Sequence, residues 1–99
     1  MTMVEHLVLF KLHEGTSEAD KQKVVDTLQG LKEIPGIAEF SVGLNHSREG
    51  KSKGFEVGMR IGFKDQASLD AYLPSERHKS LIGQVNKHFA DVIVLDYTW

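Results

Sequence analysis

The chain has no cysteine in its 99 residues. A disulfide framework, a thiolate zinc site and a cysteine nucleophile are therefore excluded. Long apolar runs are also missing. The most continuous, residues 7–10 and 92–95, fall far short of the roughly 20 residues a helix needs to cross a bilayer, so no membrane partner is expected. Neither sign of charge dominates. Twelve Lys and Arg against fourteen Asp and Glu give a net charge of −2, with no cationic cluster to match a phosphate backbone. Nucleic acid is not an expected partner. The opening MTMVEH has no basic segment followed by an apolar one, so no signal peptide is expected, and a cytoplasmic location is the default expectation. Five histidines stand at 6, 13, 46, 78 and 88, but no pair has a recognised ligand spacing with a carboxylate. Neither a metal nor a cofactor is expected.

The residues that remain are ordinary for a soluble globular chain, with 40% hydrophobic and 26% charged. The length fits one domain, 1–99, small enough that a partner subunit would supply useful burial. VEHLVLFKL, residues 4–12, alternates as a strand, with His6, Val8 and Phe10 on one face and Leu7 and Leu9 on the other. Thr16 or Ser17 can cap a helix whose apolar stripe is Val24, Leu28 and Leu31, with Val25 beside it. Pro35-Gly36 ends that helix. Residues 37–45 alternate again, the polar tract HSREGKSKG reads as a loop, and FEVGMRIGF is a strand with Phe55, Val57, Met59, Ile61 and Phe63 on one face.

Asp65 can cap a short helix that buries Leu69 and Tyr72. The second proline, Pro74, breaks it. Ser75 can cap another helix whose inward face reads His78, Leu81, Ile82, Val85 and Phe89. Residues 92–99 form the last strand. The order is β-α-β-β-α-β: an α+β, ferredoxin-like fold with one four-stranded antiparallel sheet and helices on one side. The uncovered side then shows Leu7, Leu9, Ile93, Leu95 and Tyr97. A second copy of the same sheet is the simplest cover, so a homodimer packed sheet to sheet is expected. Arg60, on that side between Gly58 and Gly62, is expected to pair across the dimer with Glu5 or Glu56.

HLVLFKL, EIPGI, GLN before a polar loop, GFEVGMRIGFKD, the AY…H segment and HFADVIVLDYTW together resemble the Dabb family, the stress-responsive dimeric α/β-barrel proteins. The match in order and spacing runs nearly end to end. The resemblance implies a subunit of this fold whose dimer closes into a barrel. One member is similar in more detail, a plant polyketide cyclase that closes an aromatic ring by intramolecular aldol condensation. Its Tyr/His pair falls on Tyr72 and His78, and its first-strand histidine on His6. The chain has Val57 in place of a third pocket histidine, and Val24, Val25 and Leu28 in place of aromatic residues.

In its neutral form, an imidazole near a helix start can accept a proton from carbon next to a carbonyl. A phenol beside it can donate to the oxygen on which charge develops. His78 as base and Tyr72 as donor are therefore the candidate catalytic residues. His6, Val8, Phe10, Val57, Met59, Leu81, Ile82, Val85 and Phe89 are the candidate lining of a pocket for a small apolar or carbonyl-containing ligand. The competing reading is plain packing, in which Tyr72 and His78 only close a core. Three functions follow from these alternatives: an accessory barrel protein without catalysis, a cyclase- or lyase-like enzyme, and a cofactor-free monooxygenase that no particular residue demands.

Overall fold

In the computed structural model, residues 2–99 form four strands and three helices. The strands are β1 (Val4–Leu12), β2 (Ile37–Leu44), β3 (Phe55–Phe63) and β4 (Phe89–Thr98). The helices are α1 (Glu18–Gln29), α2 (Gln66–Tyr72) and α3 (Glu76–Val85). The strands make one antiparallel sheet in the order β2-β3-β1-β4. That is the ferredoxin-like arrangement the pattern implies.

The helix boundaries follow from capping chemistry. Ser17 accepts from the backbone N–H of Asp20, Asp65 from that of Ser68, and Ser75 from that of His78. Each side-chain oxygen satisfies a donor that the first turn would otherwise leave unpaired. Before Pro35, residues 30–33 tighten into a 3-10 turn. There Gly30 permits a close approach, since a Cβ would lie 3.1 Å from Leu81 Cδ1. Arg77 Nε donates to the Gly30 carbonyl at 3.2 Å, so α3 is tied to the end of α1.

One sheet face carries the core. Val4, Val8, Phe10 and Leu12 of β1 pack with Val57, Met59, Ile61 and Phe63 of β3 and with Val24, Leu28 and Leu69 from the helices. α1 lies over β2, α2 lies over β1 and β3, and α3 leans on α1. No helix is centred over β4, so even its helix-side residues Val92 and Val94 stay 41% and 55% exposed. Among the described residues the opposite face carries no helix, and Leu9, Ile93, Leu95 and Tyr97 are exposed on it.

Two expectations require correction. Phe89 does not extend the face of α3. The helix ends at Val85, residues 86–88 form a 3-10 turn, and β4 begins at Phe89 rather than at residue 92. A register shift between Lys11 and Leu12 lets Phe89 pair with Leu12, and its ring packs on Phe10 with centroids 4.6 Å apart. Arg60 does not need a second chain for its partners. It donates to Glu5 Oε2 at 2.8 Å and to Glu39 Oε1 at 2.6 Å within the same chain. Glu39 lies opposite Gly62 on β2, two residues along β3 from Arg60, which puts it in reach.

Candidate functional site

A cleft of about 250 Å³ opens where the helices leave β4 uncovered. It is bordered by His6, Val8, Phe10, Met59, Leu73, His78, Ile82, Phe89, Val92, Val94 and Asp96. Six of the expected pocket residues therefore meet there with His78. Val57, Leu81 and Val85 do not. Val57 and Val85 are sealed in the core, and Leu81 is turned toward Gly30 in the turn after α1.

The two imidazoles that border the cleft are held by different elements. His78 sits in the first turn of α3, and its Nδ1 lies 2.9 Å from the Leu73 carbonyl. A carbonyl only accepts, so Nδ1 carries the proton and donates. In the neutral ring, Nε2 then holds the lone pair. Pro74 creates this contact by stopping α2 at Tyr72, leaving the carbonyl of the C-cap Leu73 for the next helix to use.

His6 is buried on β1, and its Nδ1 lies 2.6 Å from Asp96 Oδ1. The two residues face each other across the β1–β4 ladder. Asp96 accepts from Nδ1–H and orients the ring, leaving Nε2 as the free nitrogen. Sequence reasoning missed Asp96. The signal was a charged residue alternating with Val92 and Val94 on the helix side of the final strand.

Tyr72 is wedged between the two histidines. Its ring centroid is 4.6 Å from that of His78 and 5.8 Å from that of His6, in an edge-on contact with the latter. Phe63 lies behind it at 5.5 Å. Tyr72 is buried and stands behind the imidazoles rather than among the side chains bordering the cleft. Desolvation pushes its pKa well up, so it stays a phenol. Among the described residues, its hydroxyl has no hydrogen-bond partner. A buried hydroxyl without a partner costs about 1–3 kcal/mol, which marks it as an unused donor.

His13 and His46 are exposed and lie away from the cleft, as does His88. Among the described residues, no group of three or more His, Cys, Asp or Glu side chains could hold a metal ion.

The family model for the stress responsive A/B barrel domain, Dabb, matches residues 4–99. The chain belongs to the Dabb family. Solved structures share the fold across nearly the whole Dabb chain. A protein from Arabidopsis thaliana superposes with a TM-score of 0.84 at 20% identity, over 95% of this chain and 92% of that one. The hydroxynitrile lyase of Passiflora edulis gives 0.84 at 18% identity, over 98% and 93%. A dimeric ferredoxin-like protein of unknown function from Jannaschia sp. gives 0.77 at 29% identity, over 96% and 97%. A search of curated proteins returns no match.

In this Dabb chain the cleft therefore lies between helices and sheet, on the face away from Leu9 and Leu95. Its lining is polar at His6, His78 and Asp96 and apolar at Phe10, Ile82, Phe89, Val92 and Val94. Such a division fits a molecule with one polar group and an apolar body.

Proposed function

We propose that this Dabb protein is a homodimer joined through the helix-free sheet face, each subunit binding a small, mainly apolar ligand in the cleft beside β4. One observation carries the ligand reading: two imidazoles, each tied down at Nδ1, border one apolar cleft open to solvent. Packing alone gives no reason to leave Val92 and Val94 exposed beside them. The dimer reading rests on the exposed leucines and on the dimeric state of the Jannaschia relative. Heteronuclear NMR titration with 2-nonanone tests the ligand reading. Shifts confined to His6, His78, Ile82 and Val94 are expected, and Ile82→Trp should abolish them. Shifts elsewhere, or none at millimolar ketone, would refute it.

The unpartnered Tyr72 hydroxyl supports a second reading, acid–base chemistry on a carbonyl compound. His78 Nε2 takes the proton from carbon next to the carbonyl. The electron pair moves onto the carbonyl oxygen, and Tyr72 donates to it after a small movement toward the cleft. The enolate so formed can add to a second carbonyl, as in cyclisation, or be reprotonated. A positioned general base is worth about 100-fold or more. Deuterium exchange at the α-carbon of a β-diketone should therefore fall by that factor in His78→Ala. An equal rate in wild type and variant would reject His78 as the base.

A further inference from the structure

The helix-free face is not evenly apolar. One straight row across it reads Gly43, Gly58, Leu9, Ile93, one residue from each strand and paired in register. The two glycines are neighbours on β2 and β3, so half of the row has no side chains. A Cβ on Gly43 would have nothing within 4 Å, and one on Gly58 only Leu9 Cδ2 at 3.9 Å. Glycine weakens a strand interior, and neither position needs an unusual backbone. A trough of about 520 Å³ results, larger than the histidine cleft. It has Leu9 and Ile93 as its apolar wall and reaches Lys51 and Lys53 of the loop between β2 and β3.

The loop is held in shape. The Asn45 side-chain amide donates to Ser52 Oγ at 2.8 Å and to the Phe55 carbonyl at 3.1 Å. Lys53 has φ 58°, and no other non-glycine residue described has a positive φ. A lysine in this region stores strain that asparagine or glycine would relieve. Among the described residues, neither Lys51 nor Lys53 forms an ion pair, and no carboxylate borders the trough. At the other end of the same face, Arg60 holds two carboxylates. The free cations are thus at the end of the face where the apolar floor is hollow.

From this combination we infer a second ligand site: the Gly43–Gly58 trough takes the aliphatic chain of an amphipathic carboxylate, and Lys51 and Lys53 take its head group. The site is separate from the histidine cleft, on the opposite face of the sheet. A second subunit packed on Leu7 and Leu95 would roof the trough.

Calorimetric titration of the full-length wild type with decanoate, and with decanol as the uncharged control, tests the site. Decanoate should bind. Gly43→Val fills the hollow with a residue suited to a strand and should weaken decanoate about tenfold or more, since excluding even two methylenes is worth over 1 kcal/mol. The double variant Lys51→Gln, Lys53→Gly removes the charge and the backbone strain together. It should weaken decanoate about threefold to fivefold and leave decanol unchanged, as expected for exposed charge contacts. No binding of decanoate at millimolar concentration would overturn the proposal. So would loss of binding in Ile82→Trp but not in Gly43→Val, which would place the chain in the histidine cleft. If Gly43→Val instead lowers self-association and leaves decanoate affinity intact, the hollow receives side chains of a second copy, and the ligand site is refuted.

Discussion

On the helix-covered side of the sheet, Leu28, Ile61 and Phe63 have no solvent exposure. On the other side, Leu9, Ile93 and Leu95 are 43%, 45% and 55% exposed. The same strands supply both faces, and their alternation is equally regular. The difference is what covers them. α1 and α2 seal β1, β2 and β3 from one side, and among the described residues no helix lies on the other. Polar groups divide in the same way. On the covered side, His6 and Asp96 are engaged with each other at the margin of the core. On the open side, Glu5, Arg60 and Glu39 form a chain of ion pairs, and Trp99 Nε1 donates to Glu5 at 3.0 Å. One face is finished as a monomer. The other has Glu5, Arg60 and Glu39 paired and its leucines still uncovered, the state of a surface that a partner completes.

The largest effect that separates the faces comes from truncating a leucine on each. Leu28→Ala should lower the unfolding free energy by about 2–5 kcal/mol, with no dependence on protein concentration, in urea denaturation. Leu95→Ala should cost far less in dilute solution, and its cost should grow with concentration as the dimer contributes. Equal, concentration-independent losses would mean that Leu95 is already covered within one chain.

Arg60→Met probes the ion pairs. It strands Glu5, whose Oε1 is buried without a partner among the described residues even in the intact network. The loss should be about 1–2 kcal/mol, discounted because the Arg60 side chain is 38% exposed. The same network sets an acid limit. Hydrogen bonds from Arg60 and then Trp99 hold the Glu5 carboxyl below its ordinary 4.5. Its stabilisation is complete above that value and disappears as pH falls through the lower folded-state value. Between pH 5 and pH 3, wild type should therefore lose more stability than Glu5→Gln. Parallel curves would remove Glu5 from the account.

The smallest effect belongs to the covered face. Ser75→Ala removes the cap that fixes the first turn of α3, at a cost of about 1 kcal/mol. Because His78 is in that turn, ketone affinity in the cleft should fall severalfold while the dimer persists. Unchanged affinity would show that the Leu73 carbonyl alone positions the imidazole.

Much of this division was legible in the sequence. Period-two alternation placed Val8 and Phe10 opposite Leu7 and Leu9, and Thr16 or Ser17, Asp65 and Ser75 announced the helix starts. The pairing of Tyr72 with His78 came from the resemblance to the cyclase. Pairings between distant segments were not legible. His6 and Asp96 are 90 residues apart and meet only because β1 and β4 are adjacent in one register. The same limit turned the Arg60 pairing into an expected contact between chains, since the offset of β2 on β3 is invisible in a single strand. Val57, Leu81 and Val85 share an inward face with the cleft lining, so the pattern alone groups them with it. Inward residues become core or cavity wall according to where the helices stop, and a linear pattern does not record that boundary.

Sedimentation of wild type against Leu95→Lys tests the division most directly. The account predicts a wild-type dimer at micromolar concentration and a folded monomer for the variant, with ketone binding in the histidine cleft retained. A wild type that stays monomeric at high concentration, or a variant that stays dimeric, would contradict it.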